Sequence, residues 1–405
     1  MDSIKDGIFG HIVGDALGLP VQFLPREERD EDPVTDMRGY GAFNLPPGSW
    51  SDDSSLTIAT IDGLSKCLEN KKEGNSLSEI IDYEIIMENF SLWLNEGHFT
   101  PYGKAYDIGG ATMDGIERYD EGTEPILSGG IGERDNGNGS LMRILPIAFF
   151  IHYLSQKYSF DEDDMMTAVH NLSSLTHRHR RSQLCCGIYV NIALELIENH
   201  EDCNLEELIA NGINKSKEYY FNNDDFKGEL HHFDRVFSLN IQNLPREEIK
   251  SGGYTISSLE ASIWCLLNNK NYKDTILEAV NLGYDTDTTA CIVGGLAGIY
   301  YGYDDIPNEW IDKLARLDYI EEKISNFSSL LHDVSGEIGI MDEDLLDDSE
   351  FFEELEKIFK EQEEKSMKMY LDIWEEYLIE MDDDELNEDY RNYLKENNID
   401  RKWNK

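Results

Sequence analysis

Ser51–Leu64 reads SDDSSLTIATIDGL: three oxygen-bearing side chains open a run whose apolar residues recur at helical spacing as far as Leu68. The pattern predicts a helix with Ser51, Asp52 and Asp53 at its N-terminus. A second stretch repeats the design: Asp285-Thr286-Asp287-Thr288, then TACIVGGLAGIYYG. Further helical runs lie over Ser182–Ile197 and Leu259–Leu267. Alternation of β-branched and polar residues is scarce, so the expected fold class is all-α. The loops between helices, GYGAFNLPPGSWSDD (from Gly39), GGIGERDNGNGS (from Gly129) and NLGYDTDT (from Asn281), are rich in Gly, Asp, Asn and Pro. They place oxygen ligands and glycines ahead of helical segments, where free N–H groups favour anions.

The 405 residues, 40% hydrophobic and 11% aromatic, suffice for a large core. A formal net charge of −47 opposes nucleic-acid binding as the main task. It also opposes a pyrophosphate ligand unless cations or helix N-termini reverse the local sign. Six cysteines, none in a C-x-x-C pair, read as reduced core residues. The N-terminus lacks the apolar core of a signal peptide and no stretch has the length of a membrane span, so a cytoplasmic protein without membrane contact is expected.

Each acidic cluster alone reads as helix capping, since Ser, Asp and Thr satisfy orphan N–H groups and suit the dipole. Together they form a hard, all-oxygen set suited to Mg²⁺ or Mn²⁺ rather than zinc. Periodicity does not say whether the clusters meet.

Six segments in order resemble the ADP-ribosylglycohydrolases, the family that includes the dinitrogenase reductase-activating glycohydrolase. They are GHIVGDALGLPVQF (from Gly10), PVTDMRGYGAFNLPPGSWSDDSSL (from Pro33), KAYDIGGAT (from Lys104), GNGSLMRILP (from Gly137), LTHRHRRS (from Leu175), and SGGYTISSLEASIW with NLGYDTDTTACIVGGLAGIYYG (from Ser251 and Asn281). The resemblance implies an orthogonal multi-helix bundle over residues 1–325, with two Mg²⁺ (or Mn²⁺) at the base of an ADP-ribose cleft. It implies Ser51, Asp52, Asp53, Asp285, Asp287 and Thr288 as metal ligands and Asp107 as a catalytic carboxylate. Asn138, Gly139 and Ser140 would face the phosphates, His177 would line the cleft, and Tyr254 would sit near the ribose or leaving group. Where the family commonly has glutamate in a V-E-F context, Gln22 stands here; it can orient a water or hydroxyl but cannot act as a base.

The implied reaction is hydrolysis of the bond joining ADP-ribose to an acceptor on a protein or small molecule, through an oxocarbenium-like state. The acidic surface favours a guanidinium acceptor, ADP-ribosylated arginine. The rival reading is a non-catalytic ADP-ribose binder or a structural, crystallin-like member of the family; Gln22 favours it and the intact ligand set opposes it. Residues 326–405 are expected to form an acidic extension of amphipathic helices, with Phe351, Leu355 and Phe359 or Tyr370, Trp374 and Tyr377 at helical spacing, docked on the body or on a protein partner. THRHRR (from Thr176) is a weak candidate for a basic or metal-binding patch, and His231-His232 is expected to face solvent.

Overall fold

A computed structural model describes residues 2–70, 74, 76–199 and 203–336. The expected helices of the acidic extension beyond 336 lie outside the described residues. Sixteen α-helices and eight short 3-10 turns account for the described chain, joined by two isolated β-bridges. The all-α expectation holds. The three runs read from periodicity lie within the helices Asp52–Glu69, Arg180–Asn199 and Thr255–Asn268.

The centre of the bundle is the pair Ser3–Gly18 and Thr286–Tyr301. Every residue from Asp6 to Gly18 is buried, so this is an interior helix without a solvent face. Glycines let the two backbones touch. A Cβ on Gly10 would lie 2.3 Å from the Gly294 carbonyl oxygen, one on Gly14 2.2 Å from that of Ala290, and one on Gly18 2.3 Å from the amide of Asp287. The four-residue spacing of Gly10, Gly14 and Gly18 thus builds a smooth stripe along one helix. Against it the partner helix descends until its acidic N-terminus stands beside Asp15.

Other helices wrap this pair. The last described helix, Leu317–Ser335, buries Ile320, Ile324, Phe327 and Leu331 against Asp52–Glu69 and Leu145–Ser155. Lys323 Nζ donates to Asp62 Oδ1 at 2.8 Å across that contact. The helix runs through residue 325 without a break. The cysteines are free, and five of the six are buried. No helix among the described residues is long and apolar enough to cross a membrane.

Candidate metal centre and ligand cleft

Three chain segments deliver carboxylates to one buried spot. Asp15 comes from the central helix, Asp53 from the first turn of Asp52–Glu69, and Asp287 from the first turn of Thr286–Tyr301; carboxylate oxygens of all three lie within 4.8 Å of one another. All three side chains are buried.

The hydrogen bonds separate capping from other roles. Asp15 is a capping group: its carboxylate accepts from the Ser51 amide at 3.0 and 2.9 Å, from the Ser54 amide at 3.0 Å and from Ser54 Oγ at 2.6 Å. Ser51 Oγ accepts from the Asp53 amide at 3.2 Å and lies 2.9 Å from Asp53 Oδ2. Asp53 itself is held by side chains from the opposite helix: Thr288 Oγ1 donates to Oδ2 at 3.3 Å and Cys291 Sγ to Oδ1 at 3.1 Å. Asp285 occupies an N-cap position without a side-chain capping bond. Its oxygens instead accept from Asn138 Nδ2 at 2.6 Å and Gln22 Nε2 at 3.5 Å. Asp287 Oδ1 accepts from the Thr288 amide at 2.9 Å, while Oδ2 is buried with no partner among the described residues. Helix capping therefore accounts for Asp15 and Ser51, while Asp52, Asp53, Asp285 and Asp287 lie close enough for repulsion among them to be felt.

The electrostatics follow. Burial, and then repulsion from neighbouring carboxylates, holds the Asp52, Asp53 and Asp287 carboxyls well above the usual range. Burial raises Asp15 to about 6, against stabilising bonds from Ser54 and Ser51. Asp285 is raised by burial although Asn138 opposes the shift. Asp107 is half-buried in left-handed backbone (φ 55°); burial raises its carboxyl, and interactions with Asp287 and Gln22 offset part of that. A set of buried carboxyls acting chiefly on each other is stable only when it holds protons or cations. The donors are all hard oxygens, and the orphaned Asp287 Oδ2 points to a ligand position; the set fits a hard divalent cation.

The cleft wall adjoins this centre. Gly137 pairs with Tyr254, the Asn138 amide donates to the Gly253 carbonyl at 3.1 Å, and the Thr255 amide to the Asn136 carbonyl at 3.1 Å. These bonds clamp the GNGS and SGGY loops together, with Tyr254 39% exposed at the surface. Asn138 spends its amide on Asp285 and, at 2.9 Å, on Ser258. The Ser140 hydroxyl points inward, accepting from Ser173 Oγ at 2.9 Å. Any contact of Ser140 with a ligand phosphate therefore falls to its backbone. The buried His177 ring lies against the same loop: a Cβ on Gly139 would stand 2.8 Å from His177 Cε1.

The structure thus gathers Ser51, Asp52, Asp53, Asp107, Gln22, Asp285, Asp287 and Thr288 at one centre, with Asn138, Gly139, His177 and Tyr254 on the adjoining loops. Sequence reading missed Asp15. Its signal was a carboxylate inside an otherwise apolar, glycine-spaced helix, where an acidic side chain needs a specific partner. His179 of the THRHRR run does lie in an oxygen-rich group with Glu133 and Glu229. The Arg181 guanidinium already fills that group, 3.0 Å from Glu133 and 2.7 Å from Glu229, and so supplies its cation. His231 and His232 are exposed, as expected.

Comparison with known proteins agrees with this geometry. The family model described as ADP-ribosylglycohydrolase matches residues 1–338. The chain is 31% identical over 353 residues to the ADP-ribosylarginine hydrolase Tri1 of Serratia proteamaculans (strain 568), covering 82% of this chain and 79% of that one. It is 27% identical to the ADP-ribosyl-[dinitrogen reductase] glycohydrolase of Rhodospirillum rubrum, covering 77% and 90%. A solved structure titled ADP-ribosylglycohydrolase-related protein complex superposes with a TM-score of 0.62 at 25% identity, over 82% of this chain and 98% of the other. The helical bundle, the gathered carboxylates and these matches together place the chain in the ADP-ribosylglycohydrolase family of hydrolases.

Proposed function

We propose that the protein hydrolyses the glycosidic bond between ADP-ribose and a modified arginine, using a dinuclear magnesium (or manganese) centre. The observation that carries the metal reading is the buried carboxylate set with Asp287 Oδ2 unpartnered. Asp52, Asp53, Asp285 and Asp287, with the hydroxyls of Ser51 and Thr288, would hold the ions. Divalent cations held there would supply positive charge to offset the carboxylates and Lewis acidity toward substrate oxygens.

The remaining work falls to the chain's own groups. Asn138 and Gln22 both donate to Asp285 and so fix the direction in which its oxygens point. Asp107, raised by burial and beside Asp287, would take a proton from the attacking water or stabilise positive charge on the ring. Gln22 orients and does not transfer protons. The Gly137–Gly139 loop receives the phosphates. Tyr254, exposed at the rim, meets the leaving group. The charge of −47 favours a cationic acceptor approaching the cleft. The relatives named as arginine hydrolases support the same acceptor.

The deciding assay is release of ADP-ribose from an arginine-ADP-ribosylated protein, with Mg²⁺, with EDTA, and with Asp287→Ala. Release that needs the metal and disappears in the variant supports the proposal. Release that persists in EDTA refutes the metal reading. Metal-dependent activity on serine-linked but not arginine-linked conjugates refutes the acceptor.

A further inference from the structure

Arg143 is fully buried, and no carboxylate pairs with it among the described residues. Both terminal nitrogens donate to the Leu172 carbonyl at 3.2 Å, Nη2 also donates to Thr176 Oγ1 at 2.8 Å, and the guanidinium carbon lies 4.5 Å from the centre of the Phe90 ring. Burial lowers its pKa only to about 10, so it remains a cation at neutral pH. A buried guanidinium without a counter-ion costs several kcal/mol. It serves something beyond packing.

The next bond gives its direction. Thr176 Oγ1 lies 2.8 Å from His177 Nδ1, and Thr176 is itself fully buried. Arg143 can only donate, so the hydroxyl oxygen accepts from it. The hydroxyl hydrogen then has one acceptor in reach, His177 Nδ1. In the reverse arrangement, with Nδ1–H donating, the hydroxyl hydrogen would be buried without a partner among the described residues, which is costly. Charge agrees with geometry: burial, and secondarily the Arg143 charge, push the His177 pKa down to about 3, so the ring is neutral with one proton. Nδ1 accepts, and the proton sits on Nε2. That nitrogen has no hydrogen-bond partner among the described residues and looks onto the loop, where a Cβ on Gly137 would be 3.4 Å away.

We infer that Arg143 and Thr176 are positioning residues that lock His177 in its Nε2–H tautomer, so that the ring presents a neutral donor to the phosphate oxygens of ADP-ribose over the Gly137–Gly139 loop. The ligand named here rests on the proposed function; the lock does not. A neutral donor suits this place, because it binds an anion in a site already crowded with titrating carboxyls and keeps its proton from pH 5 to 8.

The lock is read from the nitrogen chemical shifts of histidine-labelled full-length protein, with His177→Gln assigning the signal. The wild type is expected to show a single neutral Nε2–H form. Thr176→Val, which keeps shape and removes the hydroxyl, is expected to mix tautomers, weaken ADP-ribose binding about tenfold by calorimetry and raise KM with little change in kcat. Thr176→Ser should restore all three. An Nδ1–H signal in the wild type overturns the lock, and does so even if Thr176→Val fails to fold. Unchanged ADP-ribose affinity in a folded Thr176→Val protein overturns the donor role. The expected signal in a wild type that binds no ADP-ribose leaves the lock standing and overturns both the ligand and the functional reading.

Discussion

Replacing Gln22 by glutamate tests the electrostatics of the centre at a neutral donor to Asp285. Gln22 is 5% exposed; its Nε2 donates to Asp285 Oδ1 at 3.5 Å and its Oε1 is buried without a partner. Asp107 is a second neighbour. A glutamate here exchanges a donor for a like charge. At about 4 Å and an effective dielectric of roughly 20, one such repulsion is worth about 4 kcal/mol. The new group escapes by keeping its proton, and at pH 7 that costs a carboxyl with an ordinary pKa near 4.3 roughly 3.7 kcal/mol. The two routes agree on a penalty of about 3–4 kcal/mol in the metal-free protein, a fall in Tm of roughly 4–6 °C for a body of this size.

With Mg²⁺ in excess the same carboxylate faces cations, and the penalty should drop by at least half. Melting curves of wild type and Gln22→Glu, each in EDTA and in Mg²⁺ at pH 7, measure the four terms. An equal penalty in both conditions refutes the placement of Gln22 at a cation site. A variant as stable as wild type in EDTA refutes the repulsion itself.

Further outcomes follow from the same structure. Saturating Mg²⁺, at about one hundred times its Kd, should raise wild-type stability by about 2.7 kcal/mol, and Asp287→Asn should abolish the shift; a metal response that survives the substitution refutes its ligand role. Gly14→Ala places a methyl 2.2 Å from the Ala290 carbonyl oxygen and should cost about 3 kcal/mol or more in denaturant titrations, because the central helices must part. A cost below about 1 kcal/mol would show that the pair yields. His170 is buried against Tyr220, 2.8 Å from its hydroxyl, and burial depresses its pKa from 6.5 to about 3. The unfolded chain therefore binds the proton first, so this term is fully present above pH 6.5 and is lost as pH falls, by about 2 kcal/mol between pH 7.5 and 5. His170→Gln should lose correspondingly less stability over that interval; equal losses would refute the assignment.

What could be read from the sequence was local. Helical spacing located Asp52–Glu69, Arg180–Asn199 and Thr255–Asn268 because an apolar stripe is a property of consecutive residues. The two acidic clusters were visible for the same reason. Their meeting was not, since it depends on Gly10, Gly14 and Gly18 letting one backbone settle on another, and glycine spacing does not name its partner helix. Asp15 escaped because its donors, the amides of Ser51 and Ser54, lie 36 and 39 residues away. The direction of the Ser140 hydroxyl was equally illegible: a neighbouring helix supplies Ser173 and draws it into the core.

The strained backbone around the centre is over-determined by its own hydrogen bonds. Phe23, Asp107 and Tyr284 all lie in the left-handed region, with φ of 68°, 55° and 63°. Non-glycine residues there cost of order 1 kcal/mol or more and persist only where surrounding bonds over-determine them. Two of the three restrain each other. The Phe23 amide donates to the Tyr284 carbonyl at 2.6 Å, and the Tyr284 amide to the Leu24 carbonyl at 2.7 Å. These paired turns fix Gln22 and Asp285, the residues next to them, before any ligand arrives. They also leave Phe23 and Tyr284 exposed, at 64% and 46%, immediately beside buried carboxyls. The strongly acidic protein thus has, at this centre, a local environment unlike its average surface: neutral donors and glycine backbone beside buried carboxyls, with exposed aromatic faces at the side. On the proposed function, net charge would govern the approach of a cationic acceptor and the pinned loops what binds once it has arrived.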